Sequence, residues 1–142
     1  MVEGSAFVAA PSGGMTLAQM GAEVIRFDQL GGGLDYKRWP LTKDGVSLYW
    51  NGLNRGKKSV VADLRAPEIQ SLLSELIANS GNFLTNFPSK GWLSYEKLSE
   101  KRSDLVMVSI MGSHDGTTAV DYTINCAVGI PSITGHEEDS RP

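Results

Sequence analysis

The sequence is poor in the residues that build covalent or metal frameworks. It holds one cysteine, Cys126, and two histidines in 142 residues. One cysteine excludes an internal disulfide framework and fits a reducing compartment, so a cytoplasmic location is expected. No closely spaced pair of Cys or His is present to start a zinc site, and no metal is expected. No apolar run approaches the length that spans a bilayer, and the start Met1-Val2-Glu3-Gly4 lacks the basic and apolar regions of a signal peptide. Gly-x-Gly-x-x-Gly is missing. Gly31-Gly32-Gly33 is followed by no Gly-Lys-Ser/Thr, which excludes a P-loop. The net charge of −3 and the lack of regular aromatic interleaving argue against a nucleic-acid surface.

What is present is ordinary in bulk and uneven in place. With 41% hydrophobic and 20% charged residues, the expected form is one globular domain over 1–142, with a polar tail at 136–142. Seven of the thirteen Lys and Arg residues fall between Lys37 and Arg65, against two acids, so this window carries +5. The reversal fits two readings, an anionic ligand or a solvated turn between packed elements. It centres on Asn54-Arg55-Gly56-Lys57-Lys58-Ser59, which runs into Val60-Val61-Ala62.

Elements alternate along the chain. Phe7–Ala10 reads as a truncated strand end. Pro11 then starts a helix that buries Leu17, Ala18 and Met20 and stops at Gly21. Gly13 and Gly14 weaken that helix, and their other use is close approach of backbone to a ligand. Ala22–Asp28 reads as a strand. Residues 29–46 show no period, the mark of a functional or mobile connection. Ser47 caps a short helix to Leu53 with Leu48, Tyr49 and Trp50 inward, and Ser59–Asp63 is a strand. Ala66–Asn79 is a helix with Ile69, Leu72, Leu73, Leu76 and Ile77 on one stripe. Asn82–Phe87 is a strand, and Ser94 caps a helix through Arg102 anchored by Leu98. Asp104–Ile110 is a strand, and Asp121–Ala127 is helical with Cys126 in the core. His114 lies in a surface loop. His136-Glu137-Glu138-Asp139 reads as a solvated tail rather than a metal site. Short strands apolar enough to bury both faces, alternating with helices, predict a parallel sheet covered by helices.

Four landmarks in register carry a resemblance. They are Glu3–Pro11 continuing into Leu17–Asp28, then Gly33-Leu34-Asp35-Tyr36-Lys37-Arg38, then Leu53–Ser59 with Asp63-Leu64, and Thr85-Asn86-Phe87 ahead of Ser94-Tyr95-Glu96-Lys97-Leu98. Together they resemble the N-terminal part of class III CoA-transferases over nearly the whole chain. The resemblance implies a Rossmann-like, mostly parallel sheet flanked by helices, which binds coenzyme A or acyl-CoA within an interlocked homodimer. Carried over by position, Phe7 and Val8 line the CoA site through backbone, and Arg38 and Lys57 face the nucleotide phosphates. Asn86 and Phe87 sit near the pantetheine, and Lys90 stands near a position where the family has arginine. Family members are longer, and their catalytic aspartate follows the segment resembling Ile133-Thr134-Gly135. Asp115, Asp121 and Asp139 do not match it, so a chain truncated relative to the family and lacking the nucleophile is expected. Val120 stands where the racemase branch has histidine, which disfavours racemase chemistry. A CoA-binding domain derived from an enzyme that moves CoA between carboxylates is the first reading. A non-catalytic assembly module, pairing with itself or with a separate C-terminal half, is the alternative.

Overall fold

A computed structural model describes residues 1–135; the polar tail, Asp139 included, lies outside the described residues. The chain partitions into two compact units, Met1–Ile110 and Met111–Pro142.

The first unit is a five-stranded parallel sheet. Its strands are β1 (Val2–Gly4), β2 (Ile25–Gln29), β3 (Lys58–Ala62), β4 (Asn82–Thr85) and β5 (Val106–Ser109). Their spatial order is β3-β2-β1-β4-β5, and every neighbouring pair is parallel. Helices α1 (Ala9–Gln19), α2 (Leu48–Leu53), α3 (Pro67–Ser80) and α4 (Tyr95–Ser99) make the connections. This is a Rossmann-like α/β fold.

The first strand is displaced from its expected place. It occupies Val2–Gly4, and the Phe7–Ala10 run instead turns into α1. Gly4 is required by packing, because a Cβ there would lie 2.4 Å from the Phe27 ring. Helix α1 buries Ala10, Pro11 and Gly14, while Leu17 and Met20 are exposed, the reverse of the stripe expected from periodicity. The reason is again close approach. A Cβ on Gly14 would lie 1.6 Å from Glu3 Oε2, so the helix seats its glycine on the sheet and turns its larger residues outward.

Helix α3 carries Pro at its first position and ends at Gly81, whose left-handed φ of 71° lets its N–H reach Ile77 O at 2.9 Å. Leu73 and Ile77 enter the core, but Leu72 is exposed, so the apolar stripe is narrower than the sequence suggested. The core joins Val2, Phe27, Leu73, Ile77, Phe83, Leu93, Leu98 and Leu105. Ser47 caps α2 by accepting from Trp50 N (3.0 Å), yet Leu48 points to solvent and no α2 residue is buried. Ser94 caps α4, which stops at Ser99 rather than Arg102. The edge strands are not buried on both faces as expected. Val60 and Val61 on β3, and Val106 and Val108 on β5, are exposed.

In the second unit, α5 (Asp121–Ala127) is followed by a 3-10 turn at Ile130–Ile133. Cys126 is exposed and not a core residue, because no α5 residue is buried among those described. Among the described residues no helix is long and apolar enough to cross a membrane.

Candidate functional site

Strand order locates the site. The chain runs outward from β1 to β2 to β3, then crosses back to place β4 on the other side of β1. In an open parallel sheet, the loops leaving two strands at such a switch part to opposite faces and leave a crevice at the carboxyl ends. Here those loops are Ser5–Val8, after β1, and Asn86–Phe87, after β4.

The two loops are stitched together. Thr85 Oγ1 donates to Gly4 O (2.7 Å) and accepts from Phe87 N (2.9 Å). The Asn86 side chain accepts from Ala6 N at 2.8 Å and donates to Ala6 O at 2.8 Å. Phe7 follows with φ 62°, the one non-glycine residue at positive φ among those described, and both it and Val8 are exposed. The Arg38 guanidinium lies over the Phe7 ring (5.7 Å to its centroid) and the Tyr49 ring (4.7 Å). Arg38 is exposed and forms no ion pair with any described residue. Phe87 is half-buried, its ring 6.1 Å from that of Phe27, and Lys90 is exposed beyond Pro88. Phe7 and Arg38 are thus brought together, Asn86 is tied to the turn that carries Phe7, and Lys90 lies further along the same loop.

Lys57 is placed differently. Its side chain is 2% exposed, and its ammonium donates to Glu3 Oε1 (2.8 Å), Pro11 O (2.8 Å) and Asn54 Oδ1 (3.0 Å), filling its three donors. It belongs to a buried polar network on the α1 side of the sheet. At the network's centre Arg26 binds Asp28 in a two-pronged pair (2.8 and 3.0 Å) and reaches Asn54 Oδ1 (2.9 Å), Ser5 Oγ (3.3 Å) and Asp35 Oδ1 (3.5 Å). Glu3, Arg26 and Asp35 are fully buried and Asp28 nearly so. Burial works against the Arg26 charge, but the Asp28 pair, helped by Asp35 and Glu3, outweighs it and holds the guanidinium more firmly protonated than usual. Burial dominates at Lys57 and lowers its pKa despite the Glu3 bond. The network fastens the 29–46 connection, through Asp35, and the α2–β3 turn, through Asn54, to β1 and β2. It therefore supports the segment that presents Arg38.

These buried charges escaped a reading tuned to apolar strands. The available signal was period two: Arg26 and Asp28 alternate with Phe27, and Glu3 sits between Val2 and Gly4, so one face of each strand is charged.

Two cavities flank this framework. A groove of about 510 Å³ between α3 and α4 is lined by Gln70, Ser74, Trp92 and Lys101. A second, of about 410 Å³, is lined by Asp28, Gly31, Gly32, Tyr36, Trp50, Ser59 and Val61, along β3 and the carboxyl end of β2. Among the described residues no group of three or more His, Cys, Asp or Glu is arranged to hold a metal ion.

The strand order and the flanking helices define a doubly wound α/β unit. The sequence matches the description CoA-transferase family III over residues 1–142, and the chain belongs to that family. It is 59% identical over 140 residues to 2-methylfumaryl-CoA isomerase of Chloroflexus aurantiacus, covering 95% of this chain and 34% of that protein. It is 34% identical over 158 residues to succinate–glutarate CoA-transferase of Agrobacterium fabrum, covering 100% of this chain and 39% of the relative. The crystal structure of a CaiB/BaiF family protein from Brucella suis superposes with a TM-score of 0.84 at 29% identity, covering 99% of this chain and 41% of that one. The chain therefore spans from 34% to 41% of the length of these relatives.

Proposed function

We propose that this chain binds coenzyme A, free or as an acyl thioester, in the crevice between the β1 and β4 ends, and serves an enzyme class that moves CoA between carboxylates. One observation carries the reading. Arg38, a cation with no acidic partner among the described residues, lies over two rings beside the turn that leaves β1. A planar guanidinium suits phosphate or carboxylate oxygens in pairs. The relatives' names support the ligand: an isomerase of a CoA thioester and a CoA-transferase. In this reading Phe7 and Val8 offer backbone, Asn86 and Phe87 flank the pantetheine arm, and Arg38 with Lys90 faces phosphate. Lys57, its donors filled within the protein, supports the turn instead. No metal takes part, and no nucleophile is assigned.

Calorimetric titration of the 142-residue chain with CoA, with ATP as competitor, tests the reading. Binding that ATP displaces poorly and that Arg38→Ala weakens supports it. Absence of binding at millimolar CoA overturns it, and equal displacement by ATP replaces it with a generic nucleotide site.

A different observation favours a second role in assembly, as a homo-oligomer. Both edge strands expose valines, Val60 and Val61 on one side and Val106 and Val108 on the other, and unpaired edges of this kind invite strand pairing. Light scattering after size exclusion tests it: a monomer at high concentration argues against this role.

A further inference from the structure

We infer that Asn86 is the positioning residue of the crevice: its amide locks the Ala6 backbone, holds Phe7 in the left-handed conformation, and through the Phe7 ring sets the position of Arg38. The geometry stands by itself; only its consequence for affinity rests on the coenzyme A reading.

The β1–β4 ladder ends at the pair Gly4 and Thr85. One residue beyond, no strand pairing remains, and the Asn86 side chain takes over. It accepts from Ala6 N and donates to Ala6 O, both at 2.8 Å, the two bonds a neighbouring strand would have made. Fixing both polar groups of Ala6 leaves the chain one way to turn toward α1, and Phe7 makes that turn at φ 62°. A residue with a Cβ enters this region at a cost, so something must over-determine it. The clamp is the contact that does so. Its product is a Phe7 that is 44% exposed at the strand ends, where core chemistry would have hidden it, with the Arg38 guanidinium over its ring. Ring and cation come from segments 31 residues apart. The ring's direction is set by the φ of Phe7, and that φ by Asn86.

Three variants of the full chain test the assignment: Asn86→Ala, Phe7→Gly and the double variant, with Phe7→Leu as a reference for loss of the ring. The first readout needs no ligand. The Arg38 side-chain resonances carry ring-current shifts from Phe7 and Tyr49. Asn86→Ala should move them to the position they take in Phe7→Leu. The second readout is the thermal midpoint. Asn86→Ala should lower it in the parent but much less beside Phe7→Gly, because glycine needs no clamp at positive φ. The third is CoA affinity, which Asn86→Ala and Phe7→Leu should each weaken by about tenfold. Should Asn86→Ala fail to fold, Asn86→Asp keeps the acceptor for Ala6 N and loses the donor, and it should shift Arg38 part of the way. Unmoved Arg38 resonances, or additive midpoint losses in the double variant, overturn the inference. Failure of the parent chain to bind CoA overturns the previous subsection alone, since the first two readouts still decide the role of Asn86.

Discussion

Replacing Lys57 with Met separates an internal structural cation from a ligand-facing one. The Lys57 side chain is 2% exposed and that of Glu3 fully buried, with their charged atoms 2.8 Å apart. Methionine keeps the stem and removes the ammonium. Among the described residues Glu3 then retains only Ser5 Oγ (2.6 Å) and a longer contact to Arg26 (3.7 Å), while its Oε2 already has no hydrogen-bond partner there. Breaking a buried pair from one side leaves an uncompensated charge and costs about 3–5 kcal/mol. For a chain of this size that is a fall in thermal midpoint of roughly 10–20 °C. Changing both members, Glu3→Gln with Lys57→Met, removes the stranded charge and should recover much of the loss. The same pair predicts a pH signature. Burial holds the folded-state pKa of Lys57 below its ordinary value, so in the alkaline window under 10.5 the folded chain binds fewer protons than the unfolded one. Stability conferred by this group therefore rises with pH through that window, and Lys57→Met loses the rise. Urea unfolding followed by circular dichroism, at neutral and alkaline pH, measures both. A loss under about 1 kcal/mol, the range of exposed pairs, would refute the reasoning and return Lys57 to the surface.

The remaining predictions are narrower. Gly14→Ala should destabilise the sheet unit by about 1–3 kcal/mol or more, since overpacking a tight contact forces backbone to move, and its Cβ would fall 1.6 Å from Glu3 Oε2; chemical unfolding checks it, and a neutral result would show that α1 sits farther from β1. Arg38→Ala should leave the unfolding midpoint nearly unchanged, as the side chain is exposed, but should weaken CoA binding and reduce its sensitivity to salt. In the second unit, the Thr117 hydroxyl (2.6 Å) and amide (3.0 Å) hold the Asp115 pKa down to about 2. Its contribution to loop order is present above the usual 3.8 and lost as pH falls through about 2. Carboxyl NMR should show Thr117→Val titrating closer to the usual value.

The alternation of short strands and helices was legible because each boundary had local chemistry: Gly21 and Gly81 at helix ends, Ser47 and Ser94 as caps, Pro67 at a helix start. The first strand was not, because three residues including a glycine carry little propensity and β1 is defined by neighbours on both sides. The buried face of α1 was misjudged for a related reason. Periodicity favours large apolar residues, whereas this helix seats on the sheet through Gly14. The basic window was correctly seen as unusual, but charge alone does not say which way a side chain points. Arg38 faces solvent on two rings, and Lys57 closes an internal network whose acids, Glu3, Asp28 and Asp35, lie 54, 29 and 22 residues earlier in sequence. The loop residues Phe7 and Asn86 were singled out by resemblance, and nothing local announced that the amide of one holds the backbone of the other.

Amide chemical-shift mapping of the 142-residue chain during a CoA titration tests the central claim most directly. The account predicts saturable shifts concentrated at Ala6, Phe7 and Val8 and at Asn86 and Phe87, with the Arg38 side chain moving in step. Shifts centred on Gln70, Trp92 and Lys101, or no saturable shift at millimolar CoA, would contradict it.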